Sequence, residues 1–442
     1  MKFQVLLLPV ILLAINACSN KHDPVALDDF SNSQLVDWNR KLTDVIIADI
    51  FTPPVASRIY AYPNVAAYEA VRFQDPRYKS LAGQLNELPA GPQPEPELQY
   101  YLPLSGIIAF TTVARELVWG IERIDRMEQT YLMKIRAIGI DKNIYKRSVD
   151  FGRQVGKHIL EWAKHDGYRQ RTSNANYMVT DDPSRWQPTP PNYMEAIEPH
   201  WNTIRPFVLD SASQFVPGPP TAFDTIPAST FYQETKEVYD VVNNLDEERL
   251  AIAQFWDCNP NISITQGHFM YFEQQISPGG HWVHITAQVL EAENASTLEA
   301  ADTFARVCVT LADAFISCWD EKYRSNLTRP ETFINKYIDP DWKPILQTPA
   351  FPEHPSGHSV ASTSAATVLT FLYGDKYNFI DSTEVPFGLP ARHFRSFYEA
   401  SNEAAISRLF GGIHYRPAVN KGIEQGRNVG RFAMNNIITV TE

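Results

Sequence analysis

The feature that most constrains the fold is the helical spacing of apolar residues along almost the whole chain. Leu35, Trp38, Leu42 and Val45 recur three or four positions apart, which is the period of one face of an α-helix. Alternation typical of strands is rare. The sequence therefore predicts an all-α protein, a helical bundle or bundles with long ordered loops. The same periodicity marks further helices over 104–119, 121–138, 143–165, 229–244, 246–257, 281–290, 297–323, 359–373, 391–409 and 419–436.

Residues 169–228 interrupt this pattern with many Pro, Asn, Ser and Thr residues. A loop of that length inside a compact domain is unusual and is often functional. We expect it to be ordered, because large aromatic side chains that need burial are spread through it. Two interpretations stay open: the segment covers the mouth of a site, or it wraps the bundle without a further role. The aromatic side chains are Trp186, Tyr193, Trp201 and Phe207.

The first residues are typical of an export signal. Lys2 precedes an apolar run, residues 3–15, that is too short to span a bilayer as a mature helix. Cys18 directly follows Asn16-Ala17, which resembles a bacterial lipobox. That resemblance implies a signal peptide over 1–17, lipidation of Cys18 and a tether over 18–34. The expected location is that of an exported bacterial lipoprotein, in the periplasm or at the outer membrane or cell surface; the alternative is a plain secretory signal.

Charge and cysteine usage exclude several classes of protein. The formal net charge is −12, which argues against general affinity for nucleic acid and requires any anion site to be built from local positive charge. The remaining cysteines, Cys258, Cys308 and Cys318, match no zinc-binding spacing and require no disulfide framework. We divide the chain into a helical region over 35–295 and a second one over 296–442, where the chemistry is concentrated.

Three short motifs in the second region carry this chemistry. They are Lys322-x6-Arg329-Pro330, Pro355-Ser356-Gly357-His358 and Ser407-Arg408-x5-His414. Together they supply three cations, two imidazoles, a hydroxyl and a glycine amide at a predicted helix start. These are the groups that hold a tetrahedral oxyanion.

Each motif also has a plain structural interpretation. The two cations at 322 and 329 could form a solvated helix end, with Asp320 and Glu321 neutralising them. Ser356 is a favoured N-cap residue. Arg408 and His414 taken singly are more often a surface charge and a structural histidine. Only their joint occurrence in this order favours a site.

The three motifs resemble the signature shared by type 2 phosphatidic acid phosphatases, bacterial acid phosphatases and vanadium-dependent haloperoxidases. The resemblance implies an α-helical bundle that binds vanadate or phosphate. It further implies His414 as the vanadium ligand and His358 on the opposite side of the anion. The groups implied to hold the anion's oxygens are Lys322, Arg329, Ser356, Gly357 and Arg408, and the implied catalytic residues are His358, Lys322 and Arg408.

Three features resemble the bacterial haloperoxidase branch, nearest to exported iodide-oxidising enzymes. They are the long helical region before the signature, the run 351–359 with its Phe-Pro-Glu-His-Pro-Ser-Gly-His-Ser form, and the Gly-Gly-Ile-His-Tyr-Arg run 411–416 along with the Pro-Gly-Gly-His-Trp run 278–282 upstream. The implied reaction is oxidation of a halide, iodide for preference, by hydrogen peroxide to hypohalous acid, with small organic molecules as acceptors.

One position departs from the phosphatase pattern. Ala418 stands where phosphatases place an Asp that orients the last histidine, which counts against a phosphohistidine mechanism. The partner of His414 is then unidentified; Glu424 or a backbone carbonyl could serve. Two alternatives remain, a phosphomonoesterase and a non-catalytic oxyanion-binding lipoprotein. Trp319 and Phe351 flank the motifs and suggest a halide pocket, although core packing is the simpler explanation of them.

Overall fold

The structure, a computed structural model, describes residues 34–260, 262–266, 269–272 and 274–441. The predicted signal peptide, the lipidated Cys18 and the tether up to residue 33 lie outside the described residues. None of the described helices is long and apolar enough to cross a membrane.

Within the described residues the chain forms thirteen α-helices and two short antiparallel ribbons, so the all-α prediction is confirmed. The ribbons are β1 (Ser263–Gln266) with β2 (Phe269–Phe272), and β3 (Phe379–Asp381) with β4 (Arg392–Phe394). The helices are α1 (Gln34–Ala48), α2 (Pro53–Val71), α3 (Leu102–Leu117), α4 (Ile121–Ile138), α5 (Lys142–Ala163), α6 (Thr230–Asn243), α7 (Glu247–Phe255), α8 (Pro278–Ala292), α9 (Thr297–Ser325), α10 (Pro330–Tyr337), α11 (Gly357–Tyr373), α12 (Phe397–Phe410) and α13 (Arg416–Asn436).

Helix α9 is the central element of the core. It begins at a capping box, in which the Ser296 hydroxyl accepts from the amide of Glu299 and the Glu299 carboxylate accepts from the amide of Ser296. Every residue from Thr297 to Trp319 except Glu299 is buried, because α2, α8, α11 and α13 all pack against it. A helix that is covered on all sides gives its last turn a fixed position, and that turn carries Lys322.

Three glycines bring α13 unusually close to α11. A Cβ atom on Gly426 would lie 2.3 Å from the carbonyl oxygen of Val360. On Gly422 it would lie 2.8 Å from the carbonyl oxygen of Ser356. Gly430, one further turn along, is equally confined by Ser364. Side chains at these positions would push the two helices apart and displace the start of α11.

Two prolines act differently from the sequence-based expectation. The sequence predicts a turn at Pro278 before a helix that starts at 281, and predicts that Pro330 ends any helix before it. Instead each begins a helix, α8 and α10 respectively. Proline suits the first helical position because its φ is already helical and its missing N–H would have no partner there. The helix expected over 391–409 begins later, at Phe397, because β4 takes up its first residues.

The long segment 169–228 wraps the bundle. The buried carboxylate of Asp313 in α9 accepts hydrogen bonds from the amides of Phe207, Val208 and Leu209, at 2.6, 2.8 and 3.0 Å. Burial raises the pKa of Asp313 to about 6. Three of the four expected aromatic anchors in the segment are buried, but Tyr193 is 64% exposed, so its predicted burial was wrong.

Candidate active site

The three motifs meet at one place in the fold. Lys322 lies in the last turn of α9, Arg329 immediately precedes α10, Arg408 lies in the last turn of α12, and His414 lies in the turn before α13. All four side chains are at most 2% exposed. The second motif, 355–358, forms the start of α11 beside them. Helix ends from four parts of the chain therefore converge on a single buried region.

His414 is held at both ring nitrogens. Its Nε2 lies 3.2 Å from Nη1 of Arg329, and its Nδ1 lies 2.8 Å from Oε1 of Glu353. Arginine can only donate, so Nε2 must carry the lone pair and Nδ1 the hydrogen. The same Glu353 oxygen also accepts from the amide of Tyr415, at 2.9 Å. The tautomer that can offer Nε2 to a ligand is thus fixed by its neighbours.

The partner of His414 is Glu353, and the expectation of Glu424 was wrong. Glu424 pairs with Lys421 at the surface instead. The sequence contained a signal, because Glu353 belongs to the Phe-Pro-Glu-His-Pro-Ser-Gly-His run, but its role there was overlooked. A carboxylate therefore orients His414 although position 418 is alanine. The alanine alone no longer counts against phosphoryl transfer.

Burial and nearby cations keep both imidazoles neutral. Desolvation is the largest cause that lowers the pKa of His414 well below its usual range, and Arg329, Lys322, Arg408 and His358 lower it further. Desolvation and then Arg408 likewise lower the pKa of His358. A neutral imidazole is a base and a possible metal ligand, whereas imidazolium is neither.

Lys322 lies in a cage of carbonyl oxygens. Its Nζ donates to the backbone oxygens of Pro352, Glu353 and Pro355, at 3.0, 3.1 and 2.6 Å. Desolvation is the largest cause that lowers its pKa to about 7. Asp320 and Glu321, which the solvated-helix-end alternative would pair with this lysine, pair with Arg324 instead. The cage fixes the ammonium group against the loop that carries the second motif.

Several buried nitrogens at the site have no hydrogen-bond partner among the described residues. They are Nη2 of Arg329, Nε of Arg408 and Nε2 of His358. Nε and Nη1 of Arg329 donate to the carbonyl oxygens of Phe351 and Ile413, and Nη1 of Arg408 donates to that of Trp256. Nη2 of Arg408 lies 3.9 Å from the Asp257 carboxylate. A buried donor without a partner is destabilising. An anion with several acceptor oxygens would satisfy the two guanidinium nitrogens.

The start of α11 adds two more donors. Ser356 is its N-cap residue, and the Ser356 hydroxyl oxygen accepts from the amide of Ser359 at 3.3 Å, which leaves the hydroxyl hydrogen for donation. Gly357 is the first helical residue, so its amide has no partner within the helix. A Cβ there would meet Trp319 and Lys322 only at 3.6 and 3.8 Å. The glycine therefore matters less for packing here than for close approach of a ligand.

A small cavity opens onto these groups. Gly357, His358, Arg408 and His414 line it, together with the predicted halide-pocket residues Trp319 and Phe351. The rings of Trp319 and Phe351 pack at 4.9 Å between centroids. No residue of the segment 169–228 is among the described residues that line this cavity. The segment instead accepts the indole hydrogen bond of Trp319 at the carbonyl of Ile197, so the wrapping interpretation fits better than a cover.

The donor set fits a tetrahedral oxyanion such as vanadate or phosphate. It offers three cations, a hydroxyl, a helix-start amide and a neutral imidazole whose Nε2 lone pair accepts a hydrogen bond from Arg329. The cationic, desolvated surroundings favour an anion. The cavity also holds a second imidazole, His358, which mere binding of an anion does not need.

Comparisons with known proteins agree with this geometry. A family model, the VCPO second helical-bundle domain, matches residues 302–442. The chain is 46% identical to a protein of solved structure described as the first bacterial vanadium-dependent iodoperoxidase, over 94% of this chain and 97% of that chain, with a TM-score of 0.86. Two structures of bacterial vanadium-dependent chloroperoxidase share the fold at a TM-score of 0.67. The holo-type is 18% identical, over 88% of this chain and 93% of that chain, and the apo-type 17% identical, over 87% and 94%. Comparison with curated proteins gave no match.

Proposed function

Because this chain belongs to the vanadium-dependent haloperoxidases, enzymes with a vanadate cofactor that oxidise a halide with hydrogen peroxide, we propose that its halide is iodide. The observation that carries this choice is the 46% identity, over 94% of the chain, to an iodoperoxidase. The product is then hypoiodous acid, which passes to small organic acceptors. The following roles of individual residues are part of the same proposal.

His414 supplies the protein ligand to vanadium through Nε2. Three facts support this role: Nε2 carries the lone pair, Nδ1 is fixed by Glu353, and the ring lines the cavity. Lys322, Arg329 and Arg408 neutralise the oxygens of the anion. The Ser356 hydroxyl and the Gly357 amide donate further hydrogen bonds, as a helix start does for phosphate.

Bound vanadate supplies a Lewis acid that activates hydrogen peroxide toward halide attack without itself changing oxidation state. The chain's own groups prepare that chemistry. His358 is a neutral base on the cavity wall, so its Nε2 can take a proton from incoming peroxide and return it later. Arg408, and Lys322 in its protonated form, draw negative charge toward themselves, because they are cations held in a desolvated site.

Trp319 and Phe351 form the pocket that receives the halide. Both line the cavity, and the Phe351 ring lies 4.9 Å from Nζ of Lys322 and 5.1 Å from the Arg329 guanidinium carbon. A halide in this pocket would be attracted by the two cations beside the ring, and desolvation strengthens that attraction. Phe351→Leu should raise the KM for iodide several-fold while the vanadate concentration for half-maximal activity stays the same. A parallel change in both would assign Phe351 to packing alone.

The decisive experiment compares two activities on one preparation. Vanadate is removed and restored, and iodide oxidation by hydrogen peroxide is measured beside p-nitrophenyl phosphate hydrolysis. We expect vanadate-dependent oxidation that inorganic phosphate suppresses by competing for the oxyanion cradle. By this name we mean the groups proposed to hold the anion: Lys322, Arg329, Ser356, Gly357, Arg408 and His414. Oxidation of bromide but not iodide would overturn the choice of halide. Hydrolysis without oxidation would favour a phosphatase. The absence of both activities would favour a simple oxyanion-binding protein.

The lipoprotein assignment belongs to the same proposal and depends on the sequence alone. Cys18 follows a basic start and an apolar run, as in exported bacterial lipoproteins. We place the enzyme, tethered by lipid on Cys18, in the periplasm or at the outer membrane or cell surface. Mass spectrometry of the N-terminal peptide from a bacterial membrane fraction should show a diacylglyceryl-modified residue 18. A Cys18→Ser variant found in the same fraction would contradict this.

A further inference from the structure

A second cluster of chemically active side chains lies beside the oxyanion cradle. Sγ of Cys258 is 3.4 Å from Nδ1 of His281, and Oε1 of Glu384 is 3.1 Å from the same nitrogen. These three ligand atoms all lie within 4.8 Å of one another. The residues are buried, and none of them has a part in the proposed reaction.

The spacing matches the coordination of a small divalent ion. With bond lengths of about 2.3 Å to sulfur and about 2.1 Å to nitrogen or oxygen, tetrahedral angles separate S and N by about 3.6 Å and N and O by about 3.4 Å. The observed 3.4 and 3.1 Å are each within 0.3 Å of these values. Side chains placed in this way need only small adjustments to share one ion.

The hydrogen bonding of His281 leaves the correct nitrogen for a metal. Its Nε2 lies 2.7 Å from Oδ2 of Asp381, while Oδ1 of Asp381 accepts from the amide of Thr383. An ionised carboxylate only accepts, so Nε2 carries a hydrogen and Nδ1 faces Cys258 and Glu384. A histidine ligand whose far nitrogen donates to a carboxylate is the usual arrangement at zinc sites.

Glu384 supplies an independent observation. Its side chain is only 8% exposed, and its Oε1 lies 3.1 Å from Nδ1 of His281 without an aligned hydrogen bond. A buried carboxylate oxygen needs a cation beside it, and a metal ion bound at Nδ1 would take the place of a proton on His281. A thiolate and a carboxylate together carry two negative charges, which a divalent ion balances.

We propose that Cys258, His281 and Glu384 bind one divalent ion of the zinc class. Thiolate, imidazole and carboxylate are ligands of Zn²⁺, and magnesium or calcium would avoid the sulfur. The carboxylates at 381 and 384 repel oxyanions, so this site differs from the vanadate cradle in the sign of the charge it accepts. Cys258 lines the same cavity as Arg408, which gives the ion a path of entry and leaves a fourth position for water.

The ion also fixes a part of the oxyanion cradle. The ring of His281 stacks on Trp256 with centroids 4.5 Å apart, and the carbonyl oxygen of Trp256 accepts from Nη1 of Arg408 at 2.7 Å. Metal bound by Cys258 and His281 therefore pins the turn at 256–258 from which Arg408 is held. The zinc site itself does not depend on the identity of the halide or on the proposed reaction.

The test measures metal rather than turnover. Full-length protein without an affinity tag is purified without chelators from zinc-containing medium, and its zinc content is measured by mass spectrometry. We expect about one zinc per chain. Exchange with Co²⁺ should give a thiolate-to-cobalt charge-transfer band, which reports the sulfur ligand directly. Cys258→Ser should abolish the band, whereas Cys308→Ser, a buried cysteine outside the cluster, should keep it.

Glu384→Gln, which keeps the shape of the side chain, is a second test of the site in case the Cys258→Ser protein fails to fold. It should weaken cobalt binding about 10-fold or more, by analogy with losses at other metal sites. Wild-type protein with less than about a tenth of an equivalent of zinc after incubation with equimolar Zn²⁺ would overturn the proposal. So would a cobalt band that survives in both Cys258→Ser and Glu384→Gln.

Discussion

Nδ1 of His414 lies 2.8 Å from Oε1 of Glu353 although 61 positions separate the two residues. Burial is the largest cause that raises the pKa of Glu353 to about 7, and Arg329 and the Tyr415 amide act against that rise. One oxygen of this carboxylate therefore fixes the histidine ring, while the arginine fixes the opposite nitrogen. Both neighbours thus hold the ring in the tautomer whose lone pair is on Nε2, the atom proposed to bind vanadium.

Glu353→Gln should weaken vanadate binding about 10- to 100-fold, the usual loss when the partner of a ligating histidine is altered. Glutamine keeps an oxygen for the two donors but loses the negative charge that strengthens the Nδ1 hydrogen bond. The measurement is a vanadate titration of cofactor-free enzyme, read as recovery of iodide oxidation. Glu424→Gln, at a surface ion pair, is the matched control and should behave as wild type. Equal half-saturation in both variants would remove Glu353 from the site.

Lys322 should give the cofactor-free protein a pH-dependent stability. Burial lowers its pKa from 10.5 to about 7, so between those values the unfolded state binds a proton that the folded state does not. Stability from this group is therefore present above pH 10.5 and is lost as pH falls through 7, by at most about 1.4 kcal/mol per pH unit. Denaturant unfolding of wild type and Lys322→Met at pH 7 and 9 measures this. The free energy of unfolding of the wild type should rise relative to that of the variant between pH 7 and pH 9. An equal difference at the two pH values would contradict the lowered pKa of Lys322.

Gly426→Ala should destabilise the protein by about 1–3 kcal/mol, the usual cost of overpacking. The added methyl group would meet the carbonyl oxygen of Val360 at 2.3 Å, and neither helix backbone can yield locally. Asn420→Ala, at an exposed position of the same helix, should stay within about 0.5 kcal/mol of wild type. Thermal unfolding of both variants with vanadate absent decides the matter. Equal melting temperatures would show that α13 can shift without cost.

Asp313→Asn should loosen the segment 169–228. The carboxylate accepts three backbone amides, and an amide side chain must turn an N–H₂ group toward at least one of those donors. We expect a loss of about 1–3 kcal/mol and faster hydrogen exchange at 207–209. Asp210→Asn, nearby and exposed, should change neither quantity. Unaltered exchange in Asp313→Asn would mean that the segment is held by its buried aromatic side chains alone.

The sequence predicted most of the oxyanion cradle because its groups are concentrated in three short motifs. Lys322, Arg408 and His414 were placed correctly beside one another, since a fold that uses such motifs must bring them together. The role of Glu353 was missed because the sequence shows that this carboxylate lies within a motif, but not which residue its side chain contacts. The cluster of Cys258, His281 and Glu384 was not predicted for a different reason: no motif joins residues that only tertiary packing brings together.

Helix boundaries were less predictable where proline was involved. Proline both ends helices and begins them, so the sequence alone cannot distinguish the two at Pro278 and Pro330. Burial of aromatic residues in 169–228 was predicted correctly for Trp186 and wrongly for Tyr193. An ordered segment of this length needs some buried aromatic side chains. The sequence does not show which of its aromatic rings are buried.

The covering of α9 on all sides sets a lower limit on the size of a working enzyme. Every residue proposed to hold the oxyanion follows Thr297, yet α2, from the first part of the chain, packs along the same helix. A truncated protein that began at α9 would expose to water the apolar surface of α9 that α2 covers. It would aggregate before it could bind its cofactor. The early helices are thus needed to keep the region 296–442 soluble and folded. A shortened haloperoxidase made from this chain should retain them.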